Sequence, residues 1–191
     1  MPRSAARAWS SVRTLTDLGE LTAQWLEGSL AALAGGAYRG GPDEETGPLV
    51  PVLAALNRAG YVTIQSQPGL DGPAFDGRRW RQRAAVMCLT DAEGLQRLTR
   101  TARDAGLLLA VHRTCSRGPV RDILATTWGG EGHTWFGGRV PKSYVRLEYR
   151  GCHREAVRAA VDAHQITLVD PVWGRDTVLW PALTEALALT P

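Results

Sequence analysis

Long apolar runs are missing: no stretch of this chain of 191 residues approaches the roughly 20 apolar residues that span a bilayer. The leading segment carries Arg3, Arg7 and Arg13, but no continuous apolar region follows them, so neither a membrane span nor an export signal is expected. Cysteine is scarce. Cys88, Cys115 and Cys152 are odd in number and far apart, which excludes the disulfide framework of a small secreted protein and fits reduced thiols in a cytoplasmic setting. Lysine is nearly absent, since Lys142 is the one lysine among 22 basic residues. A formal net charge of +3 permits binding to anions but falls short of the basic excess that argues for nucleic acid. No P-loop, no G-x-G-x-x-G after a strand, no G-x-S-x-G and no H-E-x-x-H occurs, so the common nucleotide-binding and hydrolase classes lose their usual support.

What is present is the composition of an ordinary globular protein, with 44% apolar and 21% charged residues, enough apolar content to offset chain entropy. The first 15 residues are rich in Arg, Ala and Ser without clear period and read as an N-terminal arm. Residues 16–191 read as one α+β domain. Asp17 and Glu20 have capping-box spacing, and Leu18, Leu21, Trp25 and Leu26 then recur with helical period, predicting a helix to about Leu33. Asp43 to Pro48 opens a second helix with its buried stripe at Leu49, Val52, Leu53 and Leu56. Tyr61 to Ile64 has the content of a strand, and Pro68 and Gly69 stop it.

From Ala84 the pattern becomes strand (Ala84 to Leu89), helix (Asp91 to Ala105) and strand (Leu107 to His112). A second set reads as strand (Tyr144 to Tyr149), helix (His153 to Ala163) and strand (Ile166 to Val169), with a last helix near Leu179 to Leu189. The order βαββαβ predicts a ferredoxin-like sheet, preceded by two helices and an extra strand. Residues 113–143 are rich in glycine around Trp128, His133, Trp135 and Phe136. They read either as a functional lid or as a glycine-punctuated hairpin.

The run Gly41-Pro42-Asp43-Glu44-Glu45-Thr46, followed by Leu56-Asn57-Arg58-Ala59-Gly60-Tyr61-Val62-Thr63 and Ser66-Gln67-Pro68-Gly69, resembles an uncharacterised family of small actinobacterial proteins known as a domain of unknown function. The resemblance continues through Trp80 and Gln82 to Val86, and through Asp170-Pro171, Trp173-Gly174 and Leu179-Trp180-Pro181. It implies a fold unit and no chemistry.

Candidate site residues gather where the second helix starts and its following strand ends. A tight turn joins the two, so both should lie at one end of the fold. Glu45, Ser66 and Gln67 would meet there, and Gln82 and Arg83 would join them if the strand from Ala84 pairs antiparallel with residues 61–65. A carboxylate, a hydroxyl, two amides and a guanidinium suit a small polar or anionic ligand. If that ligand is turned over, Glu45 is the candidate general acid or base and Arg83 the group that steadies negative charge. The structural alternative makes Glu45 a complement to the helix dipole and the rest a turn with local pairing.

His112, Cys115, Cys152 and His153 are ligand types for zinc, but their spacing lacks the paired short arms of a structural site, so no metal is expected. A rival reading has Arg78 to Arg83 and exposed tryptophans contacting nucleic acid or a protein partner without catalysis. Asp170 reads as the start of a turn.

Overall fold

The computed structural model describes residues 2–36, 40–112 and 122–188. These form seven α-helices and two four-stranded antiparallel sheets. The first sheet has the order β1 (Val62–Gln67), β4 (Ala85–Thr90), β8 (His164–Val169) and β5 (Leu108–His112). The second has the order β2 (Leu70–Pro73), β3 (Arg79–Gln82), β6 (Ile123–Trp128) and β7 (Glu131–Phe136).

Burial on both faces explains the near-continuous apolar reading of β4. Its residues alternate between two cores: Val86 and Cys88 face one with Ile166 and Leu168 of β8, while Ala85 and Met87 face another with Phe136 and Val169. Leu53 and Leu56 of α3 (Val50–Arg58), Leu95 and Leu98 of α4 (Ala92–Asp104) and Leu183 of α7 (Leu179–Ala188) fill the first core. The opposite side is covered by α1 (Arg3–Ser11), α5 (Lys142–Glu148) and α6 (Arg154–Asp162), which contribute Trp9, Val145 and Ala160. The helix α2 (Leu15–Leu26) joins the two layers, placing Leu18 in one core and Trp25 in the other.

Several boundaries differ from the sequence expectation for identifiable reasons. Residues 3–11, expected as an arm, form α1, because Ala5 and Trp9 recur one helical turn apart and are buried, with the Trp9 indole donating to the Ala32 carbonyl at 2.9 Å. The cap of α2 is Thr14, in a reciprocal capping box with Asp17. That helix stops at Leu26 rather than Leu33, because Gly28 takes a left-handed φ of 78° just past the end. Residues 144–149, expected as a strand, lie on α5 and its cap, where Val145 and Tyr149 share one buried face at helical spacing. The βαββαβ order of a ferredoxin-like sheet is therefore not followed: one of its strands is a helix, and a hairpin is inserted before it. That hairpin is β6 and β7, turning at Gly129 and Gly130, both with positive φ. Residues 123–136 of the glycine-rich segment thus form the hairpin alternative, and residues 113–121 lie outside the described residues.

The chain passes between the sheets at two places. The strand β1 leads through Pro68 and Gly69 into β2, and β3 leads through Arg83 and Ala84 into β4. Antiparallel pairing of β1 with β4 sets Ser66 opposite Val86 and Gln67 opposite Ala85. The condition for gathering the candidate residues at one end is met.

Close approach of α2 and α3 also depends on Gly19, where any Cβ would collide with the Asn57 carbonyl. Asn57 in turn holds the start of β1, accepting from the Thr63 backbone N–H at 3.0 Å and donating to Thr63 Oγ1 at 2.8 Å. Substitution Gly19→Ala is expected to cost about 1–3 kcal/mol by overpacking, read as a lower urea midpoint with an unchanged denaturant slope.

Candidate functional site

Gln67 and Gln82 sit where strands leave one sheet for the other and backbone carbonyls need new donors. Both side chains are buried. The Gln67 amide donates to the Arg83 carbonyl at 2.8 Å and the Ala125 carbonyl at 3.2 Å, and its own oxygen accepts from Thr126 Oγ1. Gln82 donates to the Pro68 carbonyl at 3.0 Å and reaches a Glu45 carboxylate oxygen at 3.5 Å, while its side-chain oxygen accepts from the Trp80 indole. Arg83 donates to the Leu124 carbonyl at 2.9 Å and stacks on Trp173, its guanidinium carbon 4.1 Å from the ring centre.

Glu45 is exposed above this junction, on the 3-10 segment Glu44–Leu49 that leads into α3. Asp170 is fully buried, its backbone N–H donating to the Ala84 carbonyl at 2.9 Å. It takes a bidentate grip from Arg175 and the Val172 N–H, so its turn is fixed by charge as well as by Pro171. The structure thus brings Glu45, Gln67, Gln82 and Arg83 to one corner, with the two amides committed to backbone carbonyls.

Ser66 goes elsewhere. Alternation along β1 sends it away from Gln67, into a cleft of about 370 Å³ between the outer side of β1 and the covering helices. Trp9 and Trp25 form buried parts of its wall, and Tyr144 and Glu148 of α5 contribute from the far side. Asp43 and Thr46 border it, so the segment that carries Glu45 touches both the corner and the cleft. Residues 37–39 lie outside the described residues.

Glu148 is the functional candidate that sequence reading missed. It occupies the last turn of α5, the negative end of the helix dipole, where a carboxylate is disfavoured. Burial pushes its carboxyl above the ordinary glutamate range. An acid closing a helix is a signal legible in sequence, but only once the segment is recognised as helical.

The two described thiols are poor nucleophiles. Burial raises Cys88 to about 12 and Cys152 to about 11. His112 donates from Nε2 to the Gly137 carbonyl, 2.7 Å away, and His153 caps α6. Among the described residues no three His, Cys, Asp or Glu side chains group as metal ligands, and Cys115 of the four candidate ligands lies outside them. No helix among the described residues is long and apolar enough to cross a membrane.

The stretches read as motifs in the sequence therefore meet in space: Glu45, Gln67 to Gly69, Gln82 to Ala84 and Asp170 to Gly174 share one corner, where Gly174 N–H donates to the Gln82 carbonyl and Asp176 accepts from Gly69 N–H. A protein-family model matches residues 4–190. The chain belongs to the family described as Domain of unknown function (DUF6919). No curated protein matches its sequence. Membership in DUF6919 takes in α1 as well as the body of the fold, consistent with the buried Trp9.

Glu148 makes a pH prediction. A carboxyl raised in the folded state binds its proton more tightly there than in the unfolded chain, so its contribution is present at pH below the unfolded value and is lost as pH rises through the folded value. Urea unfolding across that mildly acidic to neutral window should show a loss of stability with rising pH, and Glu148→Gln should flatten it.

Proposed function

We propose that this protein binds a small polar molecule in the cleft beside β1, with Ser66 and Glu148 as its polar contacts and Trp9, Trp25 and Tyr144 as its apolar walls. The observation that carries this reading is one cavity of about 370 Å³ combining aromatic walls with a hydroxyl and a carboxyl of raised pKa. Small-molecule sites are concave, mostly apolar and furnished with a few polar groups, and perturbed carboxyls concentrate in them. With Glu148 and Asp43 on its lining, the cleft suits a hydrogen-bond donor or a cationic amine better than an anion. Catalysis would require Glu148, or Glu45 at the adjoining corner, to exchange a proton with the bound molecule. The two described thiols, both free, fit work in a reducing, cytoplasmic compartment.

The test is a ligand-observed NMR screen of small amines, alcohols and carboxylic acids. Hits on the parent protein should be lost when Ser66→Trp fills the cleft and weakened about tenfold by Glu148→Gln, the order expected for one charge-assisted hydrogen bond. Binding that survives both substitutions would overturn the cleft as the site. Loss of binding in Glu45→Gln, with stability intact, would extend the site to the corner.

One observation favours the second reading, an interaction surface. On the outer sheet Trp80 and Trp128 pair across β3 and β6, Phe75 and His133 lie against them, and the Arg78 guanidinium sits 4.0 Å above Trp128. Bases could stack there. Arg78 and Arg79 are, however, already paired with Asp76 and Asp71, so phosphates would have to displace carboxylates. Retention on single-stranded DNA that falls steeply with salt and is lost in the triple substitution of Arg78, Arg79 and Arg81 by Ala would support this reading; a parent protein that is not retained at low salt ends it.

A further inference from the structure

Arg81 and Arg83 stand two residues apart at the end of β3 and so project to the same side of the chain. Trp173, from the turn after β8, lies against both: their guanidinium carbons are 5.1 Å and 4.1 Å from its ring centre. The neighbouring arginines have carboxylates of their own. Arg79 donates to both oxygens of Asp71 at 2.8 Å, and Arg175 grips both oxygens of Asp170. Asp176 is engaged with the Gly69 N–H and the Trp180 indole.

Arg81 and Arg83 are left with donors to spare. Arg81 approaches Asp71 at 3.5 Å, on the oxygen that Arg79 already occupies. Arg83 gives one N–H to the Leu124 carbonyl. The Arg83 Nε is buried without a hydrogen-bond partner among the described residues, and the buried Arg81 Nε has only that shared Asp71 oxygen, 3.5 Å away. Two cations are thus held beside one indole with their charge incompletely compensated. Burial and then the charge of Arg81 depress the Arg83 pKa, with Asp170 acting against both. A bound anion would relieve that repulsion and take up the open guanidinium edges.

We propose that Arg81, Arg83 and Trp173 form a binding site for a small oxyanion, a carboxylate or phosphate group, separate from the cleft beside β1. The site is organised before any ligand arrives: the Asp170 to Arg175 pair and the Gly174 N–H to Gln82 carbonyl bond fix the turn that carries Trp173. Stacking on the indole holds the planar guanidiniums in place, so little ordering is required on binding. The proposal does not depend on the cleft, and neither Ser66 nor Glu148 takes part in it.

The experiment is a titration of the isotope-labelled full chain followed through its arginine Nε–Hε and tryptophan indole N–H signals, assigned through bonds in the parent protein. Inorganic phosphate and acetate are added in separate arms at constant ionic strength, with chloride as the control. The Arg81, Arg83 and Trp173 signals should move together along one saturable curve. A stronger response to phosphate assigns a phosphate-bearing ligand, and a stronger response to acetate a carboxylate. Substitution Arg81→Gln, at a partly exposed position, should weaken the response of the Arg83 signal about tenfold or more, while Ser66→Trp leaves it unchanged. Signals that stay fixed in both arms, or that follow chloride equally, overturn the site.

Discussion

Where β1 becomes β2 and β3 becomes β4, the chain leaves one sheet for another, and the carbonyls at the crossing lose their ladder partners. Gln67 and Gln82 supply donors from buried side chains to the Arg83 and Pro68 carbonyls, and Gln67 adds a second donor to the Ala125 carbonyl, which already accepts from the Arg83 N–H. A buried carbonyl without a donor costs on the order of 1–3 kcal/mol, so two sheets cannot part in a dry interior unless something satisfies that geometry. The amide is suited to it, because it donates without bringing a charge. Two neighbouring segments are tied to this crossing. The Asp170 turn is tied to it through the Ala84 carbonyl and the Gln82 carbonyl, and the 3-10 segment that carries Glu45 reaches it through Gln82.

The same crossing separates two chemical environments. On one side of β1, Ser66 enters a cleft of aromatic walls and acids; on the other, Gln67 enters the corner, and beyond it lie the arginines of β3. Residues adjacent in sequence therefore serve different surroundings, because a strand sends successive side chains to opposite sides. If both proposed sites bind, an acidic cleft and an arginine-flanked indole would favour ligand groups of opposite charge. The family assignment leaves both open to experiment.

Much of the local structure was legible because periodicity reports burial. The stripe at Leu49, Leu53 and Leu56, the apolar run of β4 and the helices that start near Asp91 and His153 each follow from one segment and its own hydrogen bonds or burial. The failures share a cause. Residues 144–149 alternate well enough for a strand, and only packing of Val145 and Tyr149 on the α1 and α6 layer selects the helix. Residues 3–11 lack a strong apolar stripe, yet Trp9 has a buried place waiting, with an acceptor in Ala32. The arginine-rich segment at 78–83 gave no strand signal, since β3 owes its pairing to neighbours on both sides rather than to its own residues.

By itself the sequence determined the mixed α+β class and the helices and strands with clear period, because these rest on local pattern; the gathering of Glu45, Gln67, Gln82 and Arg83 was an expectation conditional on one antiparallel pairing, which the fold supplies. Tertiary structure alone decided that Ser66 leaves that group, that Glu148 faces the cleft from a helix end, and that Arg81 and Arg83 share Trp173. These are contacts between segments far apart in the chain, and the direction of a side chain within them is set by packing that no single segment contains.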